Sequence, residues 1–209
     1  MLKGSYAFVA DLARAAGLAH LVKVSSMEAV AHAQTPIPRA HWAVEEHIRA
    51  SGLAWTMVKP NFFMQNLLTS AASIRTQRRF SLPMGNGTTG MADIRDIAAV
   101  CAEALLGDGH AGQSYEITGP EVLTFRDVAD RFSAVLGARI EYVPMPIPEF
   151  RERMKNVLEP WHLDAVAQLF REIDEIGLDH VTDTFRRITG REPIPLRQFI
   201  ADHRAAFTA

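Results

Sequence analysis

The chain has 209 residues, 48% of them hydrophobic and 22% charged, and a formal net charge of −2. That composition belongs to a globular protein of one domain or a little more, and the scattered Lys and Arg form no basic stripe of the kind nucleic acid requires. No apolar run approaches the ~18 residues of a membrane span, and the single cysteine, Cys101, excludes an internal disulfide. A cytoplasmic location is the default expectation, because Asp11 and Arg14 interrupt the N-terminal stretch that most resembles a signal peptide.

Ser5 is placed to cap a first helix in which Phe8, Val9, Leu12 and Ala16 keep helical spacing, and Gly17 supplies a left-handed stop. Leu21–Val24 then reads as a strand buried on both faces, ending at Ser25 and Ser26. Arg39–Ser51 reads as a helix closed by Gly52, and Ala54–Val58 as a second apolar strand that runs into Lys59-Pro60. Two strands joined by one helix through short loops imply parallel pairing with a right-handed crossover, so the expected class is α/β with a doubly wound parallel sheet.

Beyond Pro60 the pattern predicts a helix over about Phe63–Thr76, an extended Phe80–Pro83, a glycine-rich loop, an extended Met91–Ile94 and a helix through Leu106. Gln113–Ile117 is a further strand, broken by Thr118-Gly119-Pro120. Thr124 and Asp127 form a capping box for a helix whose apolar side carries Phe125, Val128, Phe132 and Val135 and which stops at Gly137. Arg139–Pro144 is a strand with Ile140 and Tyr142 on one face. Helices follow over Pro148–Leu158, Trp161–Ile176 and Thr182–Thr189, then a last one carrying Leu196, Phe199, Ile200 and Phe207.

Ligands of such sheets sit outside the carboxyl ends of the strands. That places Ser25 and Ser26, after the first strand, and Asn61, Phe62, Phe63, Met64, Gln65 and Asn66, after the second, where a ligand would be held. Residues 85–90, GNGTTG, match G-x-G-x-x-G letter for letter. The motif cradles a pyrophosphate only when a buried strand enters it and a helix begins inside it. Here a short extended piece precedes it and another follows, so it reads as a turn.

Other chemistries lack their patterns. His41, Glu45 and His47 do not form HExxH, and Val24-Ser25-Ser26-Met27 is not a nucleophile elbow. Cys101 reads as a packed thiol, Asp93 and Asp96 as carboxylates at a helix N-terminus, and Arg75, Arg78 and Arg79 as a solvated helix face.

Five segments together resemble the NmrA-like branch of the atypical short-chain dehydrogenases: LARAAGLAHLVKVSSMEA, HWAVEEHIRASGLAWTMVKPNFFMQNLL, SLPMGNGTTGMADIRDIAAV, QSYEITGPEVLTFRDVADRFSAVLG and VTDTFRRITGREPIPLRQFIADH. The resemblance implies a partial Rossmann-type sheet, with residues 1–120 as the C-terminal part of an NAD(P)-binding domain. Residues 121–209 become a small, mostly helical substrate-side lobe packed on it. It also implies that His41 bonds the nicotinamide ribose and that Ser25, Phe63, Met64, Gln65 and Asn66 border the nicotinamide end of NADP or NAD. Ser26, Asn61 and Phe62 then face the substrate.

Departures from the family pattern accompany the likeness. The short-chain dehydrogenase Tyr and Lys positions fall on Ile37 and His41, and an isoleucine donates no proton. The family begins with a strand and a glycine-rich turn for the pyrophosphate, and this sequence resembles it only from a later helix. Counting three βα units, roughly ninety residues and the pyrophosphate site are expected to be missing. Cofactor binding is then expected to be weak, and the Leu21–Val24 strand is expected to lie on an open edge that favours homo-oligomers.

Three functions stay open on the residues alone. The first is an NAD(P)H-dependent oxidoreductase that passes hydride to a quinone-like or azo acceptor without a Tyr/Lys acid pair. The second is a non-catalytic NADP(H) sensor whose partner is a regulated protein. The third is an N-terminally shortened form with impaired cofactor binding. Small molecules and proteins are the expected partners, with no nucleic acid and no membrane.

Overall fold

The structure, a computed structural model, describes residues 10–208. Ser5, Phe8 and Val9 of the expected first helix lie outside the described residues. Helix α1 is described over residues 10–15, and Gly17, at φ 70°, follows it.

A parallel three-stranded sheet forms the centre, in the order β1 (His20–Val24), β2 (Ala54–Pro60), β5 (Gln113–Ile117). Val24 pairs with Val58 and Val58 with Tyr115, and the ladder continues past the strands through Ser25 N to Val58 O at 2.7 Å. Successive side chains leave opposite faces. Met57 packs with Val44 and Ile48 of α2 (Pro36–Ala50), whereas Val58 packs with Ile97 and Val100 of α4 (Ile94–Leu106). Helices on both faces are the doubly wound arrangement, and β1 is an outer strand of the described sheet.

Helix α2 starts three residues ahead of the expected Arg39, at Pro36. The first turn of a helix needs no amide donors, so Pro36 and Pro38 sit there without loss. The expected Phe63–Thr76 helix is a 3-10 segment over Met64–Ser70 followed by α3 (Ala71–Gln77), which Arg78 closes in the left-handed region at φ 56°. Met91–Ile94 is not a strand: Ala92 makes one bridge to Phe63, and Asp93 turns the chain into α4 by accepting from Arg95 N at 2.9 Å.

The remaining strands are short: β3 (Arg79–Phe80) pairs with β7 (Glu141–Tyr142), and β4 (Thr88–Thr89) with β6 (Leu123–Thr124). Both halves of the Thr124/Asp127 capping box form at the start of α5 (Phe125–Leu136). Helices α6 (Ile147–Met154), α7 (Pro160–Ile176) and α8 (Thr184–Thr189) follow, α6 ending four residues before the expected Leu158 and α8 starting two after the expected Thr182. The last expected helix divides at His203 into α9 (Leu196–Asp202) and α10 (Arg204–Phe207). One apolar core joins Met64, Leu67 and Ile74 to Phe125, Phe132, Phe199 and Phe207. Residue 120 therefore does not divide the packing. Among the described residues no helix is long and apolar enough to cross a membrane.

Candidate functional site

A cleft of about 1030 Å³ opens over the carboxyl ends of β1 and β2. Ser25, Ser26, Ile37, His41, Asn61, Phe62, Phe63 and Asn66 all line it. The parallel register makes this convergence: Val24 lies beside Val58, so the residues that follow each strand emerge at the same end of the sheet. Met64 and Gln65 fall elsewhere. Met64 is 1% exposed within the main core, and Gln65 caps α4, donating to Asp93 Oδ1 at 3.0 Å and accepting from Ile94 N at 3.1 Å.

Asn61 lines the cleft with its amide already engaged. Its Oδ1 accepts from Phe62 N at 2.6 Å and from Thr89 Oγ1 at 2.8 Å, which fixes the corner where β2 leaves the sheet. The lining also includes an apolar set, Phe80, Val143, Phe150, Leu169 and Phe170, which we call the aromatic arm of the cleft. Burying an aromatic acceptor there exchanges water for aliphatic and aromatic contacts.

Beneath the cleft floor lies a buried ionic cluster. Glu45 of α2 is 0% exposed and receives the Ser25 hydroxyl, Arg49 Nη2 at 2.7 Å and, at 3.5 Å, Lys59 Nζ. Lys59 also donates to Ala29 O at 2.6 Å. Arg49 is held flat between Trp42 and Trp55, at 4.9 and 5.2 Å from the ring centroids. Lys23, on the same sheet face as Met57 and Lys59, directs Nζ to His41 Nδ1 at 2.9 Å. Burial pushes the Lys23 ammonium down to about 8, against the pull of Glu45. Burial together with the Lys23 charge holds His41 down to about 4. Half-buried Glu28, bonded by the Ser26 hydroxyl, is pushed up by burial.

Lys23, Lys59 and Glu28 were not legible as site residues. The available signal was a lysine set inside each apolar strand, in LVKV and TMVKP, since lysine is almost never fully buried without a partner.

The glycine loop is occupied by protein. Asn86 N donates to Asp174 Oδ1 at 3.0 Å, a Cβ on Gly85 would lie 1.8 Å from that oxygen, and one on Gly87 would lie 2.4 Å from Ile173 O. These glycines let the loop press onto α7. Among the described residues no glycine lines the cleft. The lining does include an imidazole, two hydroxyls and the Phe62 and Phe63 rings, groups of the kind that can hold a nicotinamide and its ribose.

The NmrA-like family model matches residues 7–187. The chain is 36% identical over 198 residues to the NAD(P)H azoreductase of Xenophilus azovorans, spanning 94% of this chain and 69% of that one. It is 34% identical over 200 residues to a Streptomyces griseus reductase of (4-alkanoyl-5-oxo-2,5-dihydrofuran-3-yl)methyl phosphate, spanning 95% and 71%. The Escherichia coli NADPH-dependent quinone oxidoreductase, solved with NADPH, superposes with a TM-score of 0.82 at 23% identity, covering 96% of this chain and 70% of that one.

Proposed function

We propose that this chain, which belongs to the NmrA-like family, is an NAD(P)H-dependent oxidoreductase that reduces a flat, electron-poor acceptor of the quinone or azo class. The observation that carries this reading is the shared cleft. Residues suited to a nicotinamide and its ribose and the aromatic residues Phe80, Phe150 and Phe170 line the same cleft of about 1030 Å³.

Ser25, Phe63 and Asn66 would hold the nicotinamide end, Ser26, Asn61 and Phe62 the near side of the acceptor, and His41 would stand where the two meet. When bound, NAD(P)H supplies a hydride. The chain contributes position and dryness: Phe62 and the arm residues Phe150 and Phe170 exclude water, and Asn61 fixes the corner that separates the two ligands. Ile37 occupies the wall with no proton to give. Residues beyond 120 act as the substrate-side lobe in this reading, since α6 and α7 supply the far wall of the arm. The family relatives named for NAD(P)H azoreduction and quinone reduction support the same chemistry.

The test is consumption of NADPH or NADH by the purified chain with p-benzoquinone or methyl red. Oxidation that requires the acceptor is the expected result. Tight cofactor binding with no turnover of either acceptor would overturn the reading.

A further inference from the structure

An azo acceptor needs a proton as well as a hydride, and Ile37 cannot deliver one. A donor chain nevertheless ends in the cleft wall, where His41 lines it with buried Lys23 behind. An ammonium has protons and no lone pair, so below its pKa Lys23 can only donate across the 2.9 Å to His41 Nδ1. The acceptor nitrogen of a neutral imidazole fixes the tautomer: His41 carries its hydrogen on Nε2.

We propose that His41 protonates the acceptor from Nε2 and that Lys23, acting through His41, supplies the replacement proton to Nδ1. The inference rests on the reductase reading above. For an azo group the hydride forms one N–H bond and the Nε2 proton the other, so N=N becomes HN–NH. As Nε2 loses its proton, Nδ1 takes one from Lys23, which leaves a neutral imidazole of the opposite tautomer and a neutral amine. The amine recovers its proton from solvent, and no charge is stranded in the cleft.

The surrounding charges favour this arrangement. Glu45 of α2 and Lys59 of β2 face both Lys23 and His41, Arg49 neutralises Glu45 from the next turn of α2, and Glu28 faces Lys59 from the loop after β1. With Lys23 pushed down to about 8, the lysine gives up a proton near neutral pH far more readily than an exposed one. A quinone can take its protons from water after reduction, so it depends on the relay less than an azo group does.

The test pairs histidine nitrogen NMR on the free chain with azo and quinone reduction by wild type, Lys23→Met and Lys23→Arg. In the free wild type the proposal expects His41 neutral and protonated on Nε2 at pH 7. It expects methyl red reduction to fall as pH rises through about 8. Lys23→Met should slow methyl red reduction about tenfold to a hundredfold and abolish that alkaline fall, with p-benzoquinone reduction changed by less than about threefold. Lys23→Arg, which cannot deprotonate in this range, should remove the alkaline fall too.

Retention of both the azo rate and the alkaline fall in Lys23→Met would overturn the relay. An Nδ1-protonated or cationic His41 at pH 7 would overturn it without any turnover assay. Absence of turnover in wild type with a correct His41 tautomer would count against the reductase reading instead, and the tautomer would then decide the Lys23 and His41 arrangement on its own.

Discussion

Arg49 Nη2 stands 2.7 Å from Glu45 Oε2, with the carboxylate fully buried and the guanidinium clamped between Trp42 and Trp55. Both residues belong to α2, and the pair meets the sheet through β2, where Lys59 lies 3.5 Å from Glu45 Oε2 and Trp55 lies under Arg49. Glu45→Gln keeps an acceptor for the Ser25 hydroxyl and strands two partly or wholly buried cations. It is expected to lower stability by about 3 kcal/mol, read from the urea midpoint. A change within the error of the measurement would show that the cluster is solvated.

His41 makes stability depend on pH. Its folded pKa of about 4 lies below the 6.5 of a free imidazole, so between those values the unfolded chain binds a proton that the folded chain refuses. The stabilisation is complete above pH 6.5 and is lost as pH falls toward 4. It amounts to on the order of 2 kcal/mol once partial exposure is allowed for. His41→Gln, which still accepts from Lys23 and does not titrate, should flatten that part of the urea-midpoint profile. Identical slopes would contradict the depressed value.

The GNGTTG loop offers a separate test. A Cβ on Gly87 meets the backbone carbonyl of Ile173 at 2.4 Å. Gly87→Ala should cost about 1–3 kcal/mol by forcing the loop off α7. NADPH affinity, measured well below the melting temperature, should stay within about twofold, a change of less than 0.5 kcal/mol. A large loss of affinity in a stably folded variant would return the loop to the phosphate.

Leu169, on α7, lines the aromatic arm. Leu169→Trp narrows the arm and is expected to raise KM for methyl red about tenfold, with p-benzoquinone less affected because it is shorter. Equal effects on both acceptors would place the acceptor elsewhere.

The elements were legible where local rules govern them. Gly17, Gly52 and Gly137 stop or follow helices at positive φ, and the Thr124/Asp127 box starts α5 where spacing placed it. The split of Phe63–Thr76 into a 3-10 turn and a short helix was not legible, because the bridge from Phe63 to Ala92 that holds its start spans distant sequence. The site divides in the same way. Strand ends bring Ser25, Ser26, Asn61 and Phe62 together, and chain order points to them, whereas His41 reaches the cleft from α2 and was marked by the family resemblance. Gln65 is equivalent to its neighbours in chain order, and its contacts to Asp93 and Ile94 at the start of α4 span distant sequence. Lys23 lies behind the cleft and meets it through His41, eighteen residues away, a pairing that no spacing encodes.

The central claim is that the cleft over β1 and β2 is where a nicotinamide meets its acceptor. The most direct measurement follows NADPH oxidation by the purified chain with methyl red, using NADPH deuterated at the transferring carbon and the wild type beside Phe63→Ala. Oxidation that requires methyl red, runs slower with the deuterated cofactor and drops at least about tenfold in Phe63→Ala is the predicted result. Oxidation that ignores the acceptor, or that is unchanged by both the deuterium and the loss of the Phe63 ring, would contradict the account.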